Sequence, residues 1–341
     1  MNVVRLTADL EPQWERFVRG ASHASCAHLL AWRNVVVRVY GHAPYHLMAM
    51  DEDRACGVLP LFLVRSRLFG RLLVSAPYLS VGGLLSESGA ATAALVEEAR
   101  ALMASLGARY IELRNHTRIG LGLASTDRYC SYVLRLDADP DLLWARFENR
   151  ARTAVRKAVK AGLTVARGHH QAADLAEVLN RHMRSLGTPF HGPEFYRRIL
   201  AEFRDDAEVF LVRLGEHVVG GGIVIQTPGL LHWPYGACLA THRQLYPMNL
   251  LAWEIIRFGR LRRAQTFDFG RSQWRSGTAL FKRQWGAEPV PLFYEFHLPP
   301  GDAAPYQDPA NPRYAVPIAV WKRLPFMVTR SVGPAIIRDL P

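Results

Sequence analysis

The run Phe267–Gly286, FDFGRSQWRSGTALFKRQWG, holds the residue types best suited to handling an anion. Gly270 and Gly277 bracket Arg271, Ser272, Trp274 and Arg275, and Lys282 and Arg283 follow on a short helix expected to start near Thr278. Glycines let a backbone come close to a ligand. A helix N-terminus offers amides without intrahelical partners, and Arg and Lys suit phosphate or carboxylate. Lys282 could meet a phosphate or a developing oxyanion; a solvated helix lysine is the alternative. Asp268 lies in the expected strand Thr266–Phe269, where alternation puts it on the face opposite Phe267 and Phe269. There it could orient Arg271 or accept a proton, or form a structural ion pair with Arg271 or Lys282.

Arg152 and Arg156 are one helical turn apart and share a face, which could hold an anion or simply be solvated. Tyr235 ends the strand that precedes the segment Arg243–Asn249, and Asn249 is placed to cap the next helix. With these, Arg271 and Ser272 complete a substrate- or donor-binding set around the catalytic candidates Lys282 and Asp268. Of 13 histidines, His232 is the one retained as a candidate base. Other short motifs fail on context. His169-His170-Gln-Ala-Ala-Asp174 matches HHxxxD, but the usual following glycine is Leu175. Gly270–Trp274 lacks the last glycine of a nucleophile elbow, Gly220–Gly222 has no following GK[ST], and His42 and His46 straddle Pro44, against a helical metal site.

Periodicity and punctuation place these residues on alternating helices and strands. The first lobe reads as a strand (3–6), helices (12–21 and 29–40), strands (45–50 and 57–64), a helix (91–106) stopped by Gly107, and a strand (110–114). The second reads as a strand (132–136), a helix opened by Asp139-Pro140 and running to Ala161, helices (174–186 and 193–203), three strands (209–214, 218–226, 230–235), a helix (249–263), the glycine loop and a closing strand (292–298). Glu112 and Asp268 each follow a long helix and lie 156 residues apart; Gly57 and Gly220 lie 163 apart. This points to duplication of one α/β unit. The expected fold class is therefore α/β (α+β), mixed sheets flanked by helices, with lobes 1–130 and 131–299.

The 341 residues suit two domains, and 49% hydrophobic content suits two cores. The net charge of +12 favours an anionic partner: nucleic acid, a nucleotide-bearing donor or an anionic membrane face. The four cysteines form no CxxC, against disulfides and zinc, so no metal is expected. No apolar run reaches a spanning length and no leader is visible, so the expected location is cytoplasmic. From Pro299 a proline-rich linker leads to an apolar and basic tail, Tyr314–Pro341, which is either an interfacial helix pair on an anionic membrane or an element packed back on the protein. The prolines Pro317, Pro325 and Pro334 limit it to short helical pieces.

The block D-F-G-R-S from Asp268, followed by F-K-x-x-W-G from Phe281, resembles the FemAB family of peptidoglycan-bridge aminoacyltransferases. YGHAPYHLMAM from Tyr40, GVLPLFLVRSRLFG from Gly57 and GTPF from Gly187 resemble most the branch found with exosortase (PEP-CTERM) and exopolysaccharide genes. The resemblance covers roughly residues 30–298. It implies two tandem GNAT-like lobes and transfer of an acyl or aminoacyl group to an amine of an envelope or exopolysaccharide precursor. It also implies a role for Lys282 in handling the donor and an anion contact for Arg152. No tightly bound cofactor is expected; the donor would be aminoacyl-tRNA or an acyl thioester. Where acetyl-CoA-dependent relatives carry a glycine-rich pyrophosphate loop, this chain has Arg243-Gln-Leu-Tyr-Pro-Met-Asn249, a departure that counts against coenzyme A in the usual pose. The rivals are an acyl-CoA-dependent N-acyltransferase, a non-catalytic scaffold of polysaccharide machinery at the membrane, and, from charge alone, a nucleic-acid binder.

Overall fold

The computed structural model describes residues 1–137, 139–299, 301–302 and 312–340, so the expected proline-rich linker lies mostly outside the described residues. The chain forms two units. The first holds residues 1–130, most of a later strand and residues 338–340; the second holds Ser131–Pro289 and the C-terminal helices up to Ile337.

In the first unit β1 (Asn2–Arg5), α1 (Glu11–Gly20) and α2 (Leu30–Tyr40) lead to β2 (Ala43–Pro44), β3 (Leu47–Asp51), β4 (Arg54–Leu59), β5 (Phe62–Ser66), β6 (Gly70–Val74) and β7 (Leu85–Ser86). Then come α3 (Gly89–Leu106), β8 (Tyr110–Asn115) and β9 (Ala124–Arg135), which carries the chain into the second unit. One sheet has the order β1-β3-β4-β7, and β8-β6-β5-β2 run consecutively in another. A single strand 57–64 was expected. It is two strands in two sheets, because Pro60 has no N–H to continue a ladder. The face of α3 bearing Ala91, Leu95, Ala99 and Leu102 closes the core over Leu47, Leu59 and Leu113.

In the second unit α4 (Pro140–Arg146), α5 (Asn149–Lys160), β10 (Leu163–Arg167), α6 (Ala172–Leu186) and α7 (Pro193–Phe203) precede β11 (Ala207–Leu214), β12 (His217–Thr227) and β13 (Leu230–Cys238). α8 (Pro247–Leu261), β14 (Thr266–Gln273) and α9 (Gly277–Arg283) complete the part that concerns the site. Strands run in the order β10-β11-β12-β13-β14-β9; the pairs from β10 to β13 are antiparallel and β13–β14 is parallel. The helix expected over 140–161 is broken at Phe147 and Glu148, both extended. Phe147 leaves the helical path to bury its ring against Trp253 and Trp285, and Asp139 caps α4 through Asp141 and Leu142 amides.

The last strand, β15 (Glu288–His297), was expected to close the second lobe. From Val290 it belongs to the first unit, where Phe293–His297 pair antiparallel with Asn115–Ile111. The tail forms α10 (Pro312–Arg323) and α11 (Phe326–Ile337). Pro317 and Pro334 sit inside these helices, so only Leu324-Pro325 interrupts them, fewer breaks than the prolines suggested.

The two units share a bulged hairpin. In β3–β4, Ala49 pairs Gly57 and Met50 pairs Ala55; in β11–β12, Val212 pairs Gly220 and Arg213 pairs Val218. Every one of these positions is offset by 163 residues, so the bulge itself is duplicated. The helix-then-parallel-strand step recurs as well. Three residues of β6 pair with β8, ending at Val74–Glu112, and three of β13 pair with β14, ending at His232–Asp268.

Several histidines are enclosed as neutral bases. Burial pulls His28 and His42 down to about 4, and His46 and His191 down to about 3. Unfolded, each binds its proton near 6.5. The unfolded state therefore holds more protons between the folded values and 6.5, and stability falls as pH drops through that window. The thermal midpoint is predicted to decline steadily from pH 7 to pH 4.5, read by scanning calorimetry; a flat midpoint over that range would contradict this burial.

Candidate functional site

The parallel pair β13–β14 opens at a defined place. Its pairing ends at His232–Asp268, while β13 stays paired with β12 as far as Cys238–Gly220. A bulge on β13 sets this point: Tyr235 pairs Ile223 and His232 pairs Ile225, so Trp233 and Pro234 face one residue. A bulge bends its strand and raises the local twist, and Pro234 has no N–H to offer. Past this point Gly270 lies against the Trp233 carbonyl, where a Cβ would come within 2.9 Å. Its φ of +78° also demands glycine.

A buried polar cluster fixes β14 at the opening. Asp268 is 3% exposed. Its Oδ1 accepts from the Gly270 amide at 2.7 Å and from the Ser131 hydroxyl. His232 stands beside it in register; burial lowers its pKa, Asp268 opposing this and Lys282 reinforcing it, so the imidazole is held toward its neutral form. Lys282 is 7% exposed, not the solvated residue that a helix lysine suggests. Its Nζ donates to Gly270 O at 2.7 Å and Arg271 O at 3.0 Å, with the Tyr132 ring 5.9 Å away. α9, capped by Ser276 on the Ala279 amide, aims the lysine back at β14. Lys282 thus acts here as a clamp on the turn of β14.

A second group gathers at the start of α8. The helix begins at Pro247 with Tyr246 before it. Asn249 is therefore the third residue and not the cap, and Pro at the first position explains the earlier start. Asn249 is 7% exposed, and its Nδ2 is buried without a hydrogen-bond partner. Lys157 Nζ lies 5.8 Å from the Tyr246 ring. Arg243 approaches Cys238, whose thiol burial pushes up and Arg243 pulls back. An N-terminal turn with an unspent amide donor and nearby cations suits a phosphate or carboxylate.

The remaining candidates are placed differently. Arg152 is half-buried on α5, its Nε enclosed without a partner. Arg156 is exposed and lies over the Trp144 ring at 5.7 Å. Tyr235 is buried among Phe190, His191, Phe195 and Tyr196. Ser272 is buried on β14 and Arg271 is exposed beside it. The HHxxxD residues are spent separately: His169 contacts Ala207 O, and Asp174 pairs with Arg213. Among the described residues no group of His, Cys, Asp and Glu could hold a metal ion. Ser131 was missed by the sequence reading. A serine in a strand carries no signal until its neighbour across the sheet is known.

The Acetyltransferase (GNAT) domain family matches residues 145–283, the span that holds α5, the opening of β13 and β14, and Lys282. Comparison with curated proteins gave no match. Among solved structures, the crystal structure of FemX aligns with a TM-score of 0.70 at 17% identity, covering 86% of this chain and 97% of that one. A tandem GNAT protein from the clavulanic acid biosynthesis pathway aligns at 0.56 and 14%, with 86% and 97% coverage. The C-terminal domain of a putative lysylphosphatidylglycerol synthetase from Agrobacterium fabrum aligns at 0.55 and 13%, with 85% and 92% coverage. The chain thus has the tandem GNAT fold, mixed sheets flanked by helices.

Replacing Lys282 by Met keeps the apolar stem and strands two carbonyls. Hydrogen bonds to a charged group typically contribute about 1.5–3 kcal/mol, so urea denaturation is expected to show a loss in that range. An unchanged midpoint would mean that the ammonium clamps nothing.

Proposed function

We propose that the protein transfers an acyl or aminoacyl group to an amine of a cell-envelope or exopolysaccharide precursor, using a donor that carries phosphate. The observation that carries this reading is the partnerless Nδ2 of Asn249 in the first turn of α8, close in sequence to the opening of β13. A buried amide donor left unpaired costs about 1–3 kcal/mol, a cost that a bound anion would relieve. Lys157, beside the Tyr246 ring, and Arg243, beside Cys238, add positive charge around the segment that leads into α8. The match of residues 145–283 to a GNAT domain supports acyl transfer as the reaction class.

In this reaction the amine nitrogen bonds to the acyl carbonyl carbon. The bond from that carbon to the departing oxygen or sulfur breaks, and the leaving group takes the proton that the amine gives up. His232, held toward its neutral form by burial and standing in register with Asp268 where the strands part, is the candidate base. Positioning would supply most of the rate. The donor is aminoacyl-tRNA or an acyl thioester of a nucleotide-bearing carrier; the loop Arg243–Asn249, without glycine, favours the former. The exosortase-linked setting, a cytoplasmic location and a place at the inner face of the plasma membrane belong to the same reading. Among the described residues no helix is long and apolar enough to cross a membrane.

The test is transfer of a labelled group from aminoacyl-tRNA and from acyl-CoA to lipid-linked and free amino sugars, with donor affinity measured alongside. Asn249→Asp removes the donor N–H and adds a negative charge, and should weaken donor binding about tenfold to a hundredfold. Donor binding equal in Asn249→Asp and the parent would refute the anion site. Binding of precursor with no transfer from either donor would favour the scaffold.

A further inference from the structure

The tail helices α10 and α11 have two faces of opposite character. Their inner faces pack on α6 and the loop after it. Gly187 leaves room for Ile318, whose Cγ2 would be 2.4 Å from an added Cβ. Arg184 Nε donates to Leu324 O at 2.8 Å, Arg181 lies over the Phe326 ring at 4.3 Å, and Gly333 sits against the Phe190 carbonyl. Trp321 and Ile337 are buried. Trp321, which also lies against Gly333, thus serves packing.

The outer faces carry a different set. Val316 is 71% and Met327 67% exposed, with Val320, Val328 and Val332 also exposed. Val316 and Val320 are one turn apart on α10, as are Val328 and Val332 on α11, so each helix bears an apolar stripe. Arg323 is exposed and continues the stripe of Val316 and Val320, while Lys322, whose Cε lies against Gly187, and Arg330, one turn from Phe326 and Pro334, are exposed at the edges of the packed side. From Pro312 to Arg338 there is no acidic residue. A packed helix that spends its large aromatic inward and leaves aliphatic side chains outward gains nothing in water from the arrangement.

We propose that the outer face of α10 and α11 is a docking surface for an anionic lipid bilayer. Aliphatic stripes flanked by cations, with no acid among them, match the boundary between acyl chains and anionic headgroups. A second copy of this chain fits worse. A two-fold contact sets the same patch against itself, which here brings Arg323 of one copy toward that of the other, with Lys322 and Arg330 adding like charge at the edges. Nucleic acid would use the cations and leave the valines and Met327 without a role. The proposal deepens the membrane-side placement above and rests on that reading only for which leaflet is met. Lipid binding can fail while transfer from soluble donors survives, and the reverse.

The full chain is sedimented with vesicles of phosphatidylcholine alone and of phosphatidylcholine with phosphatidylglycerol, over a salt series. It should pellet with the anionic vesicles and not with the neutral ones. Each basic residue near such a surface is worth about fivefold in affinity. The variant Lys322→Gln/Arg323→Gln/Arg330→Gln should therefore bind about a hundredfold more weakly, and high salt should reduce parent binding only in part. Val320→Asp/Met327→Asp alters exposed positions, so its thermal midpoint should match the parent while the salt-resistant fraction of binding disappears. If one variant set lowers the midpoint, the other set decides. Vesicle binding equal in parent and variants, or none to anionic vesicles, overturns the proposal. A concentration-dependent dimer that Met327→Asp abolishes, with no vesicle binding, overturns it in favour of self-association.

Discussion

The second unit depends on one buried charge. The ammonium of Lys282 reaches back from α9 to the carbonyls of Gly270 and Arg271, while Asp268 holds the Gly270 amide from the other side. Between them they fix a backbone turn that would otherwise present unpaired polar groups to the interior. Gly270 must be glycine for the turn to pass the Trp233 carbonyl. The position of α9 follows from holding this bend in place, at the point where the bulge on β13 parts the two strands. An ammonium taken from water is costly, and the two carbonyls together with the nearby Asp268 carboxylate offset that cost.

The first unit solves the same problem in another way, and the comparison shows which parts of the second are general. Glu112 occupies the place of Asp268 at the end of a three-residue parallel pairing. Its carboxylate is bound by Arg114 at 2.8 Å, and Arg114 also holds the carbonyls of Ala76 and Leu79. A cation clamping carbonyls beside a strand-end carboxylate therefore occurs in both units. In the first, carboxylate and cation pair with each other. In the second, Asp268 is satisfied by a hydroxyl and an amide, and a histidine stands beside it. That difference separates a closed structural joint from a cluster able to do proton chemistry.

Much of this was legible in the sequence. A strand from Thr266 and the short helix follow from spacing, but the strand runs on to Gln273 through the first half of the expected glycine loop; the repeat was visible in the 163-residue offset that the bulged hairpins now explain. Other features were not. The break at Phe147 depends on partners more than a hundred residues away, Trp253 and Trp285. The partition of β4 and β5 between sheets needed Pro60 to be read as a change of sheet. Lys282 was read as meeting a phosphate or an oxyanion, and nothing in FKRQWG says that the helix turns its lysine toward two carbonyls of β14. Ser131 and the enclosed Nδ2 of Asn249 are products of tertiary contact alone. The proline count of the tail overstated its breaks, because Pro317 and Pro334 are accommodated within the helices.

The central claim is that Lys282 holds the turn of β14 at the site. Amide hydrogen exchange across Phe269–Ser272, compared between the parent and Lys282→Met, tests it most directly. The account predicts that protection there falls at least about tenfold, the equivalent of about 1.4 kcal/mol, while amides of β11 and β12 keep theirs. Protection unchanged at Phe269–Ser272, or lost evenly throughout the unit, would contradict it.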